Sequence, residues 1–141
     1  MADYDLDSLI LIVTGSTLRA EDKDRPLAYA LAGEVRKRLP EGSSWQCLVI
    51  SDLHYINAEE LHECPLICVG GPGVNHLAAV LFRELPPALA VDRVLLIQMD
   101  VECKDLRTSL WGMDHETTVE ALQTFVQKGY LDRFLAAALT A

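Results

Sequence analysis

The chain has 141 residues, half of them apolar, enough to bury one core of ordinary size, which sets the expectation of a single domain over residues 1–141. Its 21 acidic and 12 basic residues give a formal net charge of −9. No basic run of the kind that follows a phosphate backbone is present, so neither nucleic acid nor an anionic membrane is an expected partner.

The acidic opening Met1–Ser8 has no Lys or Arg ahead of the apolar run Leu9–Val13, which is the wrong charge for a signal peptide and too short for a membrane span. The chain is therefore expected in the cytoplasm, where its four cysteines, Cys47, Cys64, Cys68 and Cys103, form no disulfide framework. Residues Ser8–Val13 form a continuous β-branched and leucine run, apolar on both faces as a central parallel strand is. Thr14-Gly15-Ser16-Thr17 ends it, and a polar loop follows. Asp24 then stands at the cap position of a helix whose first turn accepts Pro26. Leu27, Leu31, Val35 and Leu39 recur every four residues along that helix, and Arg36-Lys37-Arg38 suits the negative end of its dipole.

Pro40-Glu41-Gly42 stops the helix, and Gln46–Ile50 gives a second strand. Ser51–Asn57 is expected as a loop that leads into one helical turn over Ala58–His62. Pro65–Val69 is a third strand. It ends abruptly in Gly70-Gly71-Pro72-Gly73, after which Val74, Leu77, Ala78, Leu81, Phe82 and Leu85 mark one face of a helix that halts at Pro86-Pro87. A fourth strand is expected from about Arg93 to Gln98. Periodicity leaves Met99–Asp114 unassigned, and a final helix starts near His115, with Asp114 as its cap and Gly129 as a break or bend.

Short apolar strands alternating with amphipathic helices predict an α/β fold: a three-layer αβα domain with a four-stranded parallel sheet in the flavodoxin-like or Rossmann-like order 2-1-3-4. The connection Ser51–Cys64 is barely long enough for a crossover, so one face is expected to be thinly covered, and a homodimer would hide that face or an open sheet edge. In this order the loops after all four strands open on one edge. The opposite edge, near Pro40–Ser44 and Pro86–Asp92, is expected to be connection only.

Several motifs fall on the loop edge. Gly70, Gly71 and Gly73 permit close approach at a helix start, where free N–H groups hold carboxylate or phosphate, but the pattern is neither G-x-G-x-x-G nor a P-loop. Thr14-Gly15-Ser16-Thr17 resembles the Thr-Gly-x-Thr part of the flavodoxin phosphate loop, which implies hydroxyls and amides wrapped around the phosphate of a flavin mononucleotide. Here further residues intervene before the helix, and Arg19, Lys23 and Arg25 place positive charge beside the loop. Ser51-Asp52-Leu53-His54 resembles the first motif of the calcineurin-like metallophosphoesterases, and Asn75-His76 is similar to their later Gly-Asn-His. That resemblance implies metal ligation by Asp52, His54 and His76, yet the family's remaining motifs are missing and no metal is assigned; the alternative is a polar turn in which Asp52 caps backbone amides.

Cys64 and Cys68 beside His62 and Glu63 lack a second ligand pair for zinc, and Cys47 and Cys68 are expected in the core. Cys103 is a candidate nucleophile with His115 or His76 as base. Trp111 is expected either to stack on a planar ligand or to pin the long loop to the core. The candidate ligand-binding residues are Thr14, Gly15, Ser16, Thr17, Asp52, His54, Gly70, Gly71, Gly73, Asn75, His76 and Trp111, for a nucleotide or another small anionic molecule. The sequence assigns no cofactor and no reaction. The alternative is a self-associating or adaptor module in which the glycines are turns.

Overall fold

A computed structural model describes residues 5–92 and 94–140. The strands are β1 (Leu9–Thr14), β2 (Gln46–Ser51), β3 (Leu66–Val69), β4 (Pro87–Val91), β5 (Leu95–Met99) and β6 (Arg107–Gly112). The helices are α1 (Arg25–Arg38), α2 (Asp52–Asn57), α3 (His76–Glu84), α4 (His115–Gln127) and α5 (Tyr130–Thr140). They cover both faces of one sheet, ordered β2-β1-β3-β6-β5-β4.

No residue of β1 exceeds 1% exposure, so the strand is covered on both faces, as its unbroken apolar run requires. Each fully buried Leu or Ile there contributes about 2 kcal/mol. Ile10 and Ile12 face the core shared with α1, α4 and α5, while Leu9, Leu11 and Val13 face the smaller core under α2 and α3. Parallel ladders join β1 to β2, β1 to β3 and β3 to β6.

The α/β class holds, but the expected four-stranded parallel 2-1-3-4 sheet does not. The sheet is six-stranded and mixed, because β5 runs antiparallel to β6 and β4 antiparallel to β5. The segment expected as the fourth parallel strand is β5, the return arm of a hairpin, and its expected start, Arg93, lies outside the described residues. The hairpin turns at Asp92, whose φ of 45° is left-handed, with the Val94 amide donating to Val91 O at 2.7 Å. The fourth parallel strand is instead β6, inside the stretch that periodicity left unassigned. Pro87, expected to close α3, opens β4, so Pro86–Asp92 is more than connection.

One local expectation also shifts, and another holds. The helix after β2 begins at Asp52, earlier than expected, because Ser51 caps it by accepting the His54 amide at 3.1 Å; a short 3-10 turn follows at Glu59–Leu61. Gly129, at φ 81°, separates α4 from α5 and ends α4 as glycine commonly does.

The two sheet edges differ. On β2, Arg36 reaches from α1 and donates to the Cys47 carbonyl at 2.9 Å, which covers part of the open ladder. On β4, the sequence Pro-Ala-Leu-Ala-Val is wholly apolar and exposed or half-buried throughout. No helix among the described residues is long and apolar enough to cross a membrane.

Candidate functional site

Parallel pairing of β1, β2, β3 and β6 puts the loops after these strands on one edge. The crossovers from β1 to β2 and onward to β3 leave β1 in opposite directions, so the switch point lies between β1 and β3. There the two flanking loops touch, since Gly15 lies directly beneath the Val74 carbonyl. The space between them is filled, not open.

Asp52 ties three of these loops together. Fully buried at the start of α2, it accepts the Ser16 hydroxyl and the Leu53 amide on Oδ1 and the His76 amide, at 2.7 Å, on Oδ2. Asn75, 1% exposed, caps α3 by accepting the Ala78 amide, and its Nδ2 donates to Val69 O and, at longer range, to Val13 O. The Thr17 hydroxyl accepts the Ala20 amide, and Thr14 is fully buried at the end of β1 with a hydroxyl that has no partner among the described residues. Of the candidate residues, therefore, Gly15, Ser16, Asp52 and Asn75 form the joint between loops, whereas the Thr14 and Thr17 hydroxyls make no contact across it. The His54 and His76 side chains are exposed. Among the described residues no three His, Cys, Asp or Glu side chains are grouped to hold a metal.

The open space lies on the other side of Gly71–Val74. A crevice of about 300 Å³ is bounded by that loop, by Trp111–His115 where β6 passes into α4, by Thr118, and by Arg19, Lys23 and Asp24. Gly71, Gly73 and Trp111 of the candidate set line it. Arg19, Lys23 and Asp24 share one side because Ala20–Asp24 forms a single π-helical turn running directly into α1. The wider turn brings positions four and five residues apart onto one face.

That turn also changes the role of Asp24. The Arg25 amide at the start of α1 already donates to Ala20 O, and Asp24, although at the cap position, makes no capping hydrogen bond. Its carboxylate lies over Gly70, where a β-carbon would stand 2.6 Å from Oδ2. Gly70 has φ 111°, so it must be glycine on both counts. Asp24 is only 7% exposed and makes no hydrogen bond or ion pair among the described residues. Burial pushes its pKa up, opposed by the nearby charges of His115 and Arg19. The sequence hides this role, since an acid two residues before Pro26 has the appearance of an ordinary cap.

Trp111 is pinned. Its Nε1 donates to Gln98 Oε1 at 3.5 Å, the ring meets Phe82 edge-on, and its six-membered ring covers Gly71. Gln98 is itself 2% exposed, and its Nε2 donates to carbonyls at the end of α3, the shortest contact being 2.9 Å to Leu85 O. Gly112 is required because α4 starts against it: a β-carbon there would overlap Thr117, and its amide donates to the Thr118 hydroxyl. Asp114 and Thr117 cap α4 reciprocally, as expected of Asp114, and the Asp114 pKa is held down by the Thr117 amide and hydroxyl.

The cysteines stand apart from this site. Cys47 is buried and its thiol is pushed up to about 11, while complete burial raises Cys68 further. Cys103 lies in the β5–β6 connection, at the opposite end of β6 from His115, and its thiol is also raised by partial burial. His62 bonds the Tyr55 carbonyl and packs on the Tyr55 ring, and Cys64 donates to Leu6 O. No known protein family and no curated protein matches the chain in sequence.

Proposed function

We propose that this chain is a small-ligand-binding α/β domain whose site is the crevice between Gly71–Val74, Trp111–His115 and the π-turn. The observation that carries the reading is the crevice itself: it sits at the carboxyl ends of parallel strands, beside the switch point, with cations and a pinned aromatic side chain on its walls. Its volume suits a molecule at the small end of the range for such pockets. Four free cysteines fit a reducing setting.

A thermal-shift screen of nucleotides, flavins, small carboxylates and divalent metals tests this. A ligand present at a hundred times its Kd raises native stability by about 2.7 kcal/mol. Gly73 lines the crevice with nothing within 4 Å of the position of a β-carbon, so Gly73→Leu is accommodated there and is expected to obstruct the crevice and abolish the shift. A shift that persists in Gly73→Leu, or no shift with any compound, would sink the reading.

Self-association is a second reading, favoured by the contrast between the sheet edges. β4 presents an apolar, uncovered ladder, and antiparallel pairing with a second copy of β4 would close it by two-fold symmetry. Light scattering is expected to give a dimer for the native chain and a monomer for Ala90→Lys. A monomeric native chain at high micromolar concentration removes this reading.

A further inference from the structure

Within the crevice, we infer that the ligand is amphoteric: it carries an amine or other N–H donor that Asp24 accepts, and an acidic group that meets Arg19 and Lys23. The inference rests on the small-ligand reading above and specifies the chemistry of the same site.

Asp24 is the reason. Asp24 is more than nine-tenths buried as a residue, yet its carboxylate oxygens open on the crevice without a protein hydrogen bond, whereas the buried polar side chains of Asp52 and Asn75 at this edge have protein partners. Asp52, fully buried at the same edge, accepts three hydrogen bonds from its own chain. Asp24 accepts none. The fold nevertheless keeps space for its carboxylate by placing a left-handed glycine, Gly70, beneath it. A group that lines an open crevice, lacks an internal partner and is accommodated at conformational cost is positioned to accept hydrogen bonds from outside the protein.

The opposite charge stands beside it. Arg19 is exposed at the rim and takes part in no ion pair among the described residues, and the Lys23 contact with Asp22 is a long surface pair of 3.8 Å. Both cations are available to an acidic group. A purely anionic ligand would bring its charge toward the Asp24 carboxylate, whereas a purely cationic one would leave Asp24 satisfied but meet Arg19 and Lys23 at the rim. A molecule with both charges satisfies both sides.

The test uses the intact chain and a series of linear ω-amino acids of increasing length, each compared with the simple carboxylic acid and the simple amine of the same length. Binding is read from amide NMR shifts of Gly71, Gly73, Val74 and Gly112 at millimolar probe. At least one amino acid is expected to bind about tenfold tighter than its matched acid and its matched amine. Asp24→Asn is expected to reduce that amino acid to the affinity of the acid, and Arg19→Gln to the affinity of the amine. Equal binding of acid and amino acid in the native chain, unaffected by Asp24→Asn, overturns the amphoteric assignment while leaving the crevice as an anion site. If no probe in the series moves these resonances but a compound from the broader screen does, the amphoteric assignment again fails and the small-ligand reading survives. If nothing in either set moves them, both fail together.

Discussion

Gly15 and Val74 are in direct backbone contact: any β-carbon on Gly15 would overlap the Val74 carbonyl oxygen and crowd the Ala20 side chain. This one approach locks the loop after β1 to the loop after β3, and it explains why the switch point itself holds no cavity. The obstacle is backbone, which cannot rotate away. Gly15→Ala is therefore expected to destabilise the chain by about 3 kcal/mol, at the upper end of overpacking costs. Urea unfolding measures it. A loss below about 1 kcal/mol would mean the two loops separate easily, and the joint described here would be wrong.

Asp24 predicts a stability gain from a conservative change. Its pKa is raised above the usual 3.8 by burial, so the native state holds the proton more tightly than the unfolded chain. Its contribution to stability therefore falls as pH rises from the unfolded value through the folded one, and at neutral pH the ionised group carries its full penalty. Lys23 and the capped Asp114 line the same crevice, and the nearby charges of His115 on α4 and Arg19 beside the π-turn offset only part of that penalty. Asp24→Asn is expected to be more stable than the native chain at neutral pH, by on the order of 1 kcal/mol, with the difference shrinking as pH falls toward the unfolded pKa. Denaturation curves at a series of pH values check the sign. A less stable Asp24→Asn at neutral pH would show that the carboxylate already has a structural partner.

Gln98 gives a third prediction. Removing its amide in Gln98→Leu leaves the Leu85 carbonyl and the Trp111 indole N–H without their partner, at a cost of about 2 kcal/mol. Because Trp111 forms one wall of the crevice, the same change is expected to loosen that wall. Tryptophan fluorescence of a Trp45→Phe background, in which Trp111 is the sole emitter, should shift to the red in Gln98→Leu. An unchanged spectrum would show that Gly71 and Phe82 hold the ring without Gln98.

Much of the framework was legible in the sequence because burial on both faces leaves an unambiguous mark. β1, β2 and β3 are runs of Leu, Ile, Val and Cys, and α1, α3 and α4 repeat their apolar positions at helical spacing. β6 was not legible, although it is the central partner of two strands. It reads Arg-Thr-Ser-Leu-Trp-Gly, and the buried hydroxyls of Thr108 and Ser109, without partners among the described residues, are an unusual content for a strand interior. Its first residue, Arg107, is held at the surface by Asp105 and Glu84. β4 was hidden for a different reason. Two prolines precede or open it, and its hairpin turns at Asp92 with no glycine, so neither a strand nor a turn signal was present.

The site followed the same division. Position along the edge was predictable from topology, and Gly71, Gly73 and Trp111 line the crevice, although the space expected between the loops after β1 and β3 is filled. Hydrogen-bond allegiance was legible only for Asp52, which caps backbone amides as its polar-turn reading has it. Asp52, Ser16 and Asn75 have the composition of ligand-binding residues but spend their polar atoms on neighbouring loops. Asp24 has the composition of a cap and spends its own on nothing. Only the π-turn, which adds one residue to a helical turn and leaves no ordinary sequence signature, separates the two outcomes.

The placement of β6 also governs how the chain assembles. Because β6 pairs with β3 on one side and β5 on the other, a growing chain that has emerged only as far as residue 106 holds two sheet fragments with facing open edges. Those edges carry Ile67, Cys68, Val69, Ile97 and Met99, all buried once β6 is in place. Synthesis proceeds at roughly 5–20 residues per second, so the interval before β6 arrives is long compared with the formation of a hairpin. Substitutions within 107–112 that slow its entry should therefore raise the yield of aggregate more than their effect on equilibrium stability would suggest.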